Sequence, residues 1–214
     1  MPLLLIDLDN TLVDRDAAFR EAASRFLTEH ALPETELDWL TTLDAGGYTP
    51  RQDVARSMIE RYGLPESSVR RLLDDGVAER VVLPDATRRA LIGARANGWT
   101  CVIVTNGRVL QQETKIRSTG LDRLVHSWVV SEAVGHKKPA PEIFEAAAAT
   151  AGASLRDARV IGDSPHADIR GAIGIGAHSV WVSGGHVWSE PEYRPTWIAP
   201  DAAAAIRVGI HGTG

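Results

Sequence analysis

The chain has 214 residues, of which 44% are hydrophobic and 24% charged. These values sit near the averages of soluble globular proteins and exclude a disordered, collagen-like or coiled-coil chain. The net charge of −5, from 28 acidic and 23 basic residues, leaves no basic footprint for nucleic acid or a membrane surface.

The length suits one domain, or one with a smaller insert, and is enough to bury a core without staples. The first apolar run, Leu3-Leu4-Leu5-Ile6, is cut at once by Asp7 and lacks a basic start, so no signal peptide is expected. Residues 3–8 suit a strand buried on both faces. Further runs of this kind are Thr100–Val104, His126–Val130, Ala158–Ile161 and Ser179–Val182, with a short sixth at Thr196–Ile198. Helical patterns lie between the later runs. Pro84-Asp85 opens one that Gly98 closes, Val109–Thr119 ends at Gly120, and Pro141 opens one that Gly152 closes. Strands alternating with helices predict βαβ units and a mainly parallel, doubly wound α/β sheet.

Residues 15–81 break that rhythm. Phe19, Ala22, Ala23, Phe26 and Leu27 fall on one helical face. Thr49-Pro50-Arg51-Gln52 reads as a capping box with Pro at the first helical position, leading into Val54, Met58, Ile59 and Tyr62. A further helix is expected from about Pro65 to Arg80. The division is therefore an α/β domain of residues 1–14 and 82–214, interrupted by an all-helical insert of residues 15–81. Residues 171–189 carry no charged side chain but are rich in Gly, Ser and His, so no membrane span is expected there. Cys101 is the one cysteine. It sits in an apolar run, which points to a buried, inert thiol and a cytoplasmic setting.

Four stretches at strand exits carry chemistry. In Asp7-Leu8-Asp9-Asn10-Thr11 the side-chain period of two would let Asp7 and Asp9 point the same way. Two carboxylates there need a cation or a proton; turn and insert caps are the alternative reading. Thr105-Asn106-Gly107 offers a hydroxyl and free amides before a helix, as an anion site does; taken alone it reads more simply as a plain N-cap with a Gly-aided turn. Lys137-Lys138-Pro139 holds two of only three lysines, Lys115 being the third; each lysine in this Arg-rich chain poses a question. A lysine there can neutralise phosphate oxygens, or be a solvated loop residue. Gly162-Asp163 follows the fourth run, with Asp168 one helical turn on, where it also complements a helix dipole. All four fall at the C-terminal edge of one sheet, where ligands bind. Carboxylates from two strands suit Mg²⁺, whereas no Cys or His cluster has zinc spacing.

As an ordered set, these four stretches resemble the motifs of the haloacid dehalogenase (HAD) superfamily, and the helical insert resembles the cap of its C1-capped branch. The resemblance covers nearly the whole chain. It implies a Rossmann-like core with a helical cap, and a Mg²⁺-dependent phosphatase that hydrolyses a small soluble phosphate monoester through an aspartyl-phosphate. Asp7 would be the nucleophile, and Asp9 the acid and then the base. Thr105, with the Asn106 backbone, would hold the phosphoryl group. Lys138, which directly precedes Pro, would offset charge. Asp7, the Asp9 carbonyl and Asp163 would ligate Mg²⁺, and Asp168 would orient Lys138 or a metal-bound water. The carboxylate at Asp9 separates this pattern from that of the dehalogenases. A phosphomutase of the same superfamily and a phospho-accepting receiver domain are the alternatives. The expected partner is a small phosphorylated metabolite, with no nucleic acid and no membrane. Arg20, Trp39, Tyr48 and Arg51 are candidate substrate contacts of the insert, each read more simply as surface or packing. Trp188 and Trp197 are open between core packing and a dimer contact, and His166 is expected to face solvent.

Overall fold

The computed structural model describes residues 1–212. The chain divides into two compact units, one of Met1–Val13 with the chain from Leu83 onward, the other Asp14–Val82. In chain order the elements are strand β1 (Leu3–Ile6), then helices α1 (Arg15–Glu29), α2 (Leu37–Asp44), α3 (Arg51–Tyr62) and α4 (Glu66–Arg71). There follow α5 (Asp85–Ala96), β2 (Thr100–Thr105), α6 (Val109–Ser118), β3 (Ser127–Val130), α7 (Ser131–Val134) and α8 (Pro141–Thr150). The chain continues through β4 (Arg159–Gly162), α9 (Arg170–Gly174), β5 (His178–Val182), β6 (Trp197–Ala199) and α10 (Ala202–His211).

All six strands run parallel in one sheet, in the order β3-β2-β1-β4-β5-β6. Alternate side chains of the apolar runs feed opposite faces, as the pleat requires. Leu3, Leu5, Val102, Val104 and Val160 pack with Ile143, Phe144, Ala147 and Ala148 of α8. On the other face Gly209 of α10 comes so close to Leu4 and Ile161 that an added Cβ would stand 3.2 Å from the Ile161 side chain. Both faces are thus covered by helices, which is why the central strands read as unbroken apolar runs. Removing the Phe144 ring from this packing would cost about 3–5 kcal/mol.

The register brings the strand tips level. Ile6 pairs with Ile103 on one side and Ile161 on the other. The next residue, Asp7, donates its amide to the Ile161 carbonyl. Asp7, Thr105 and Asp163 therefore emerge within two residues of one line across the sheet. The strand order reverses between β1 and β4, and the crevice at such a switch point is where doubly wound sheets take ligands.

Two local features differ from the sequence reading of this unit. Strand β1 ends at Ile6, and residues 8–13 close a turn in which Leu12 and Val13 donate to the Leu8 carbonyl. Asp9 lies in that turn, beyond the reach of the strand alternation expected to align it with Asp7. The short helix α7 is the other difference; at 4 residues it is too brief to carry a periodic signal.

The helical unit buries Phe19, Ala22, Ala23, Phe26 and Leu27 of α1, the face expected from their spacing. Asp14 caps α1 by accepting from the Ala17 amide. The capping box at Thr49 does not form: α3 begins at Arg51, and Pro50 occupies the cap position with no side-chain acceptor. The helix expected over 65–80 is α-helical only to Arg71, after which the chain widens into a π-type turn over Leu72–Gly76. Helix α2 also went unread. Its eight residues bury just Leu40 and Asp44, too few positions to show a period. Trp39 of α2 stacks edge-on against Tyr62 beneath the Arg61 guanidinium, and Tyr48 is exposed.

Candidate active site

Lys138 organises the site. Its side chain is buried, and its Nζ donates to Asp7 Oδ1 at 2.5 Å and to Asp168 Oδ1 at 2.7 Å. Burial works against the ammonium charge, but Asp168 and Asp7 outweigh it and raise the Lys138 pKa. The neighbouring Lys137 is exposed. Asp168 uses its other oxygen to accept from the Ser164 amide at 3.1 Å. Ser164 in turn caps the π-type turn Pro165–Ile169 by accepting from the Ala167 amide. His166 on that turn faces solvent.

Asn106 acts on Lys138 from the β2 side. Its side-chain amide donates to the Lys138 carbonyl at 3.1 Å and accepts from the Lys138 amide at 2.8 Å. The expected Asn106 contribution is its backbone; the structure adds a side chain that pins the lysine's own main chain. Ser131, at the start of α7, accepts from the Gly107 amide at 3.0 Å and ties the same loop to β3.

Asp7, Asp163 and Asp168 each place an oxygen so that all three lie within 4.8 Å of one another. Asp163 accepts from the Thr11 hydroxyl at 3.2 Å, and its carbonyl accepts from Trp181 Nε1 at 2.7 Å. Burial, above all, holds the carboxyls of both Asp7 and Asp163 well above the usual range. For Asp7 the Lys138 charge pulls the other way; for Asp163 the charges of Asp7 and Asp168 add to the rise. Three acids share one ammonium. If all are ionised, two negative charges remain uncompensated in a region of all-oxygen donors. That deficit fits a hard divalent cation such as Mg²⁺. Both Asp168 oxygens are already engaged, so Asp7 and Asp163 are the side chains better placed to hold it.

The Asp9 side chain stands outside this cluster. It is held from α6, where Lys115 Nζ reaches Oδ1 at 2.7 Å and Oδ2 at 2.8 Å, and Gln112 Nε2 reaches Oδ2 at 2.9 Å. Gln112 Nε2 also donates to Thr105 Oγ1 at 2.6 Å. The Thr105 hydroxyl accepts there, and its own proton is directed at the Asn106 carbonyl at 3.5 Å. Neither Gln112 nor Lys115 follows from motif spacing. The rarity of lysine in this chain was the one available pointer to Lys115.

Trp188 and Trp197 both have partners within the chain. Trp188 lies edge-on between Trp181 and Tyr193, and its indole N–H donates to the Glu190 and Tyr193 carbonyls. Trp197 of β6 is covered by the Arg159 guanidinium. No helix among the described residues is long and apolar enough to cross a membrane.

A doubly wound parallel sheet with carboxylates, an ammonium and a hydroxyl gathered at the tips of β1, β2 and β4 defines an enzyme of polar group transfer. Residues 1–176 match the family model of the haloacid dehalogenase-like hydrolases, and the chain belongs to that family. It is 29% identical to a phosphoserine phosphatase of Thermus thermophilus, over 91% of this chain and 94% of that protein. It is 30% identical to a glyceraldehyde 3-phosphate phosphatase of Pyrococcus abyssi, over 86% of this chain and 82% of that protein. Its fold matches the crystal structure of magnesium-bound YfnB from Bacillus subtilis with a TM-score of 0.74 at 24% identity, over 97% of both chains.

Proposed function

We propose that this chain is a Mg²⁺-dependent phosphatase that hydrolyses a small soluble phosphate monoester through an aspartyl-phosphate. The observation that carries the reading is the buried Lys138 ammonium between Asp7 and Asp168, with Asp163 alongside. Phosphoryl transfer asks a protein mainly for positioning and charge neutralisation, and this cluster supplies both. The phosphoserine phosphatase and the glyceraldehyde 3-phosphate phosphatase named above support the same chemistry.

In this reading an Asp7 oxygen attacks phosphorus in line with the leaving oxygen, forming the Asp7–phosphorus bond as the ester bond breaks. Asp9 gives its proton to the leaving oxygen, then takes one from the water that cleaves the acyl phosphate. The Thr105 hydroxyl, its oxygen fixed by Gln112, and the Asn106 backbone hold the equatorial oxygens. Lys138 is kept in line by Asp168 and by the Asn106 side chain, and it screens Asp7 from the anionic substrate. Asp7, Asp163 and the Asp9 main-chain carbonyl would hold Mg²⁺, which when bound supplies the remaining positive charge at the phosphoryl group. The helical unit is proposed as the cap of the C1-capped branch. The substrate is proposed as a soluble phosphorylated metabolite of the cytoplasm, in keeping with the single, buried, unpaired Cys101.

The test is a panel of phosphomonoesters, phosphoserine and glyceraldehyde 3-phosphate among them, assayed with Mg²⁺. The wild-type chain turns over at least one of them. Asp7→Asn reduces that turnover by on the order of 10⁴-fold or more while leaving the fold intact. Retained turnover in Asp7→Asn, or full activity in excess chelator, defeats the reading.

A further inference from the structure

Of three lysines, Lys138 belongs to the cluster above and Lys137 is exposed, which leaves Lys115. It lies on the second turn of α6 and is only 4% exposed. A buried ammonium is costly unless it is paired, and the partner here is Asp9, gripped through both oxygens at 2.7 and 2.8 Å. Gln112, three residues earlier and on the same helical face, braces the same carboxylate at 2.9 Å and the Thr105 hydroxyl at 2.6 Å. Gly107 makes room for that brace. At φ 151° it adopts a backbone that side chains rarely take, and an added Cβ would stand 3.0 Å from Gln112 Cγ and Cδ.

We propose that Lys115, seconded by Gln112, is a positioning residue that fixes the Asp9 carboxylate for proton transfer to the leaving oxygen. The proposal rests on the phosphatase reading and adds to it the reason Asp9 can do its work. As the ester bond breaks and the Asp7–phosphorus bond forms, the Asp9 proton passes to the departing oxygen and a carboxylate remains. An ammonium on both oxygens is complementary to that product. Gln112 ties the acid to the hydroxyl that holds the phosphoryl group, so donor and phosphate keep a set separation. A purely structural ion pair would brace the turn after β1 equally for every substrate. A positioning role makes itself felt only where the leaving group needs a proton.

The experiment compares phenyl phosphate with 4-nitrophenyl phosphate, esters of similar shape whose leaving groups differ in basicity. The quantity measured is kcat/KM with saturating Mg²⁺, which reports steps up to loss of the leaving group. Nitrophenolate departs without a proton, whereas phenolate gains from one. Lys115→Met should lose at least about tenfold more kcat/KM on phenyl phosphate than on the nitro ester. Lys115→Arg, which keeps a cation with donors, should recover most of the difference. Gln112→Leu should shift the ratio the same way and carries the test if Lys115→Met does not fold. An equal fall on both esters, or a gain on phenyl phosphate, overturns the positioning role alone. A wild-type chain inert toward both esters, and toward the phosphomonoester panel, overturns the phosphatase reading and this proposal with it.

Discussion

Gly162 makes room for Asp168. A Cβ at residue 162 would lie 2.2 Å from Asp168 Cγ, inside the space the carboxylate needs to reach both Lys138 and the Ser164 amide. The last residue of β4 is thus glycine for the sake of an acid six positions on. Gly162→Ala should displace Asp168, loosen Lys138 and cost about 1–3 kcal/mol of stability through overpacking. Denaturant unfolding measures the stability, and phosphatase assays should show kcat falling with it. An alanine variant of wild-type stability and rate would mean that the acid is not held by this contact.

The buried acids set a pH dependence. Burial first, with neighbouring charges, pushes Asp7 up to about 7 and Asp163 up to about 8. Between the ordinary carboxyl range near 4 and these values, the folded chain holds protons that the unfolded chain has released. Stability without metal must therefore decline as pH rises through that window. In chelator, the thermal midpoint should drop between about pH 5 and about pH 8, and Asp163→Asn should flatten the drop. Added Mg²⁺, a ligand of the ionised acids, should raise the midpoint more at the upper end. Equal stabilisation at both ends would count against the carboxylate cluster as the metal site.

Within the helical unit, Arg15 and Asp44 form a buried, two-pronged ion pair, Nη2 donating to Oδ1 at 2.6 Å and Nη1 to Oδ2. Asp44 Oδ2 also accepts from the Gly47 amide at 3.0 Å. Asp44→Ala should destabilise this unit by about 3–5 kcal/mol, since it strips the guanidinium of that partner. The double variant Arg15→Met, Asp44→Leu should regain much of the loss. Guanidinium titrations monitored by Trp39 fluorescence would read both.

Cys101 sits on β2 with no exposed surface, and burial pushes its thiol up to about 12. The native protein should leave a thiol reagent unreacted at neutral pH, and one equivalent should react on unfolding. Rapid labelling of the native chain would contradict the burial of β2.

The strands were legible because each is a local pattern. LLLI, TCVIVT and RVIG are apolar runs bounded by turn residues, and a strand covered on both faces needs nothing else. The acids, the hydroxyl and Lys138 were legible because each ends or closely follows such a run. The local reading failed where neighbours in sequence are not neighbours in space. Asp9 and Lys115 are 106 positions apart, and Asn106 and Lys138 are 32 apart. Helix α2 escaped for another reason, having too few buried positions to show a period.

The residue types and their order along the chain determined a doubly wound sheet with charged tips, because burial pattern, helix stops and turn chemistry act over a few residues. Tertiary structure alone decided which cation serves which acid: Lys138 for Asp7 and Asp168, Lys115 for Asp9. Those pairings depend on the strand order placing β2 and β4 on either side of β1, and on the register that brings Ile6 level with Ile103 and Ile161. An ion pair forms only between charges a few ångströms apart, and that separation is a property of the packed sheet and its helices, not of any one segment.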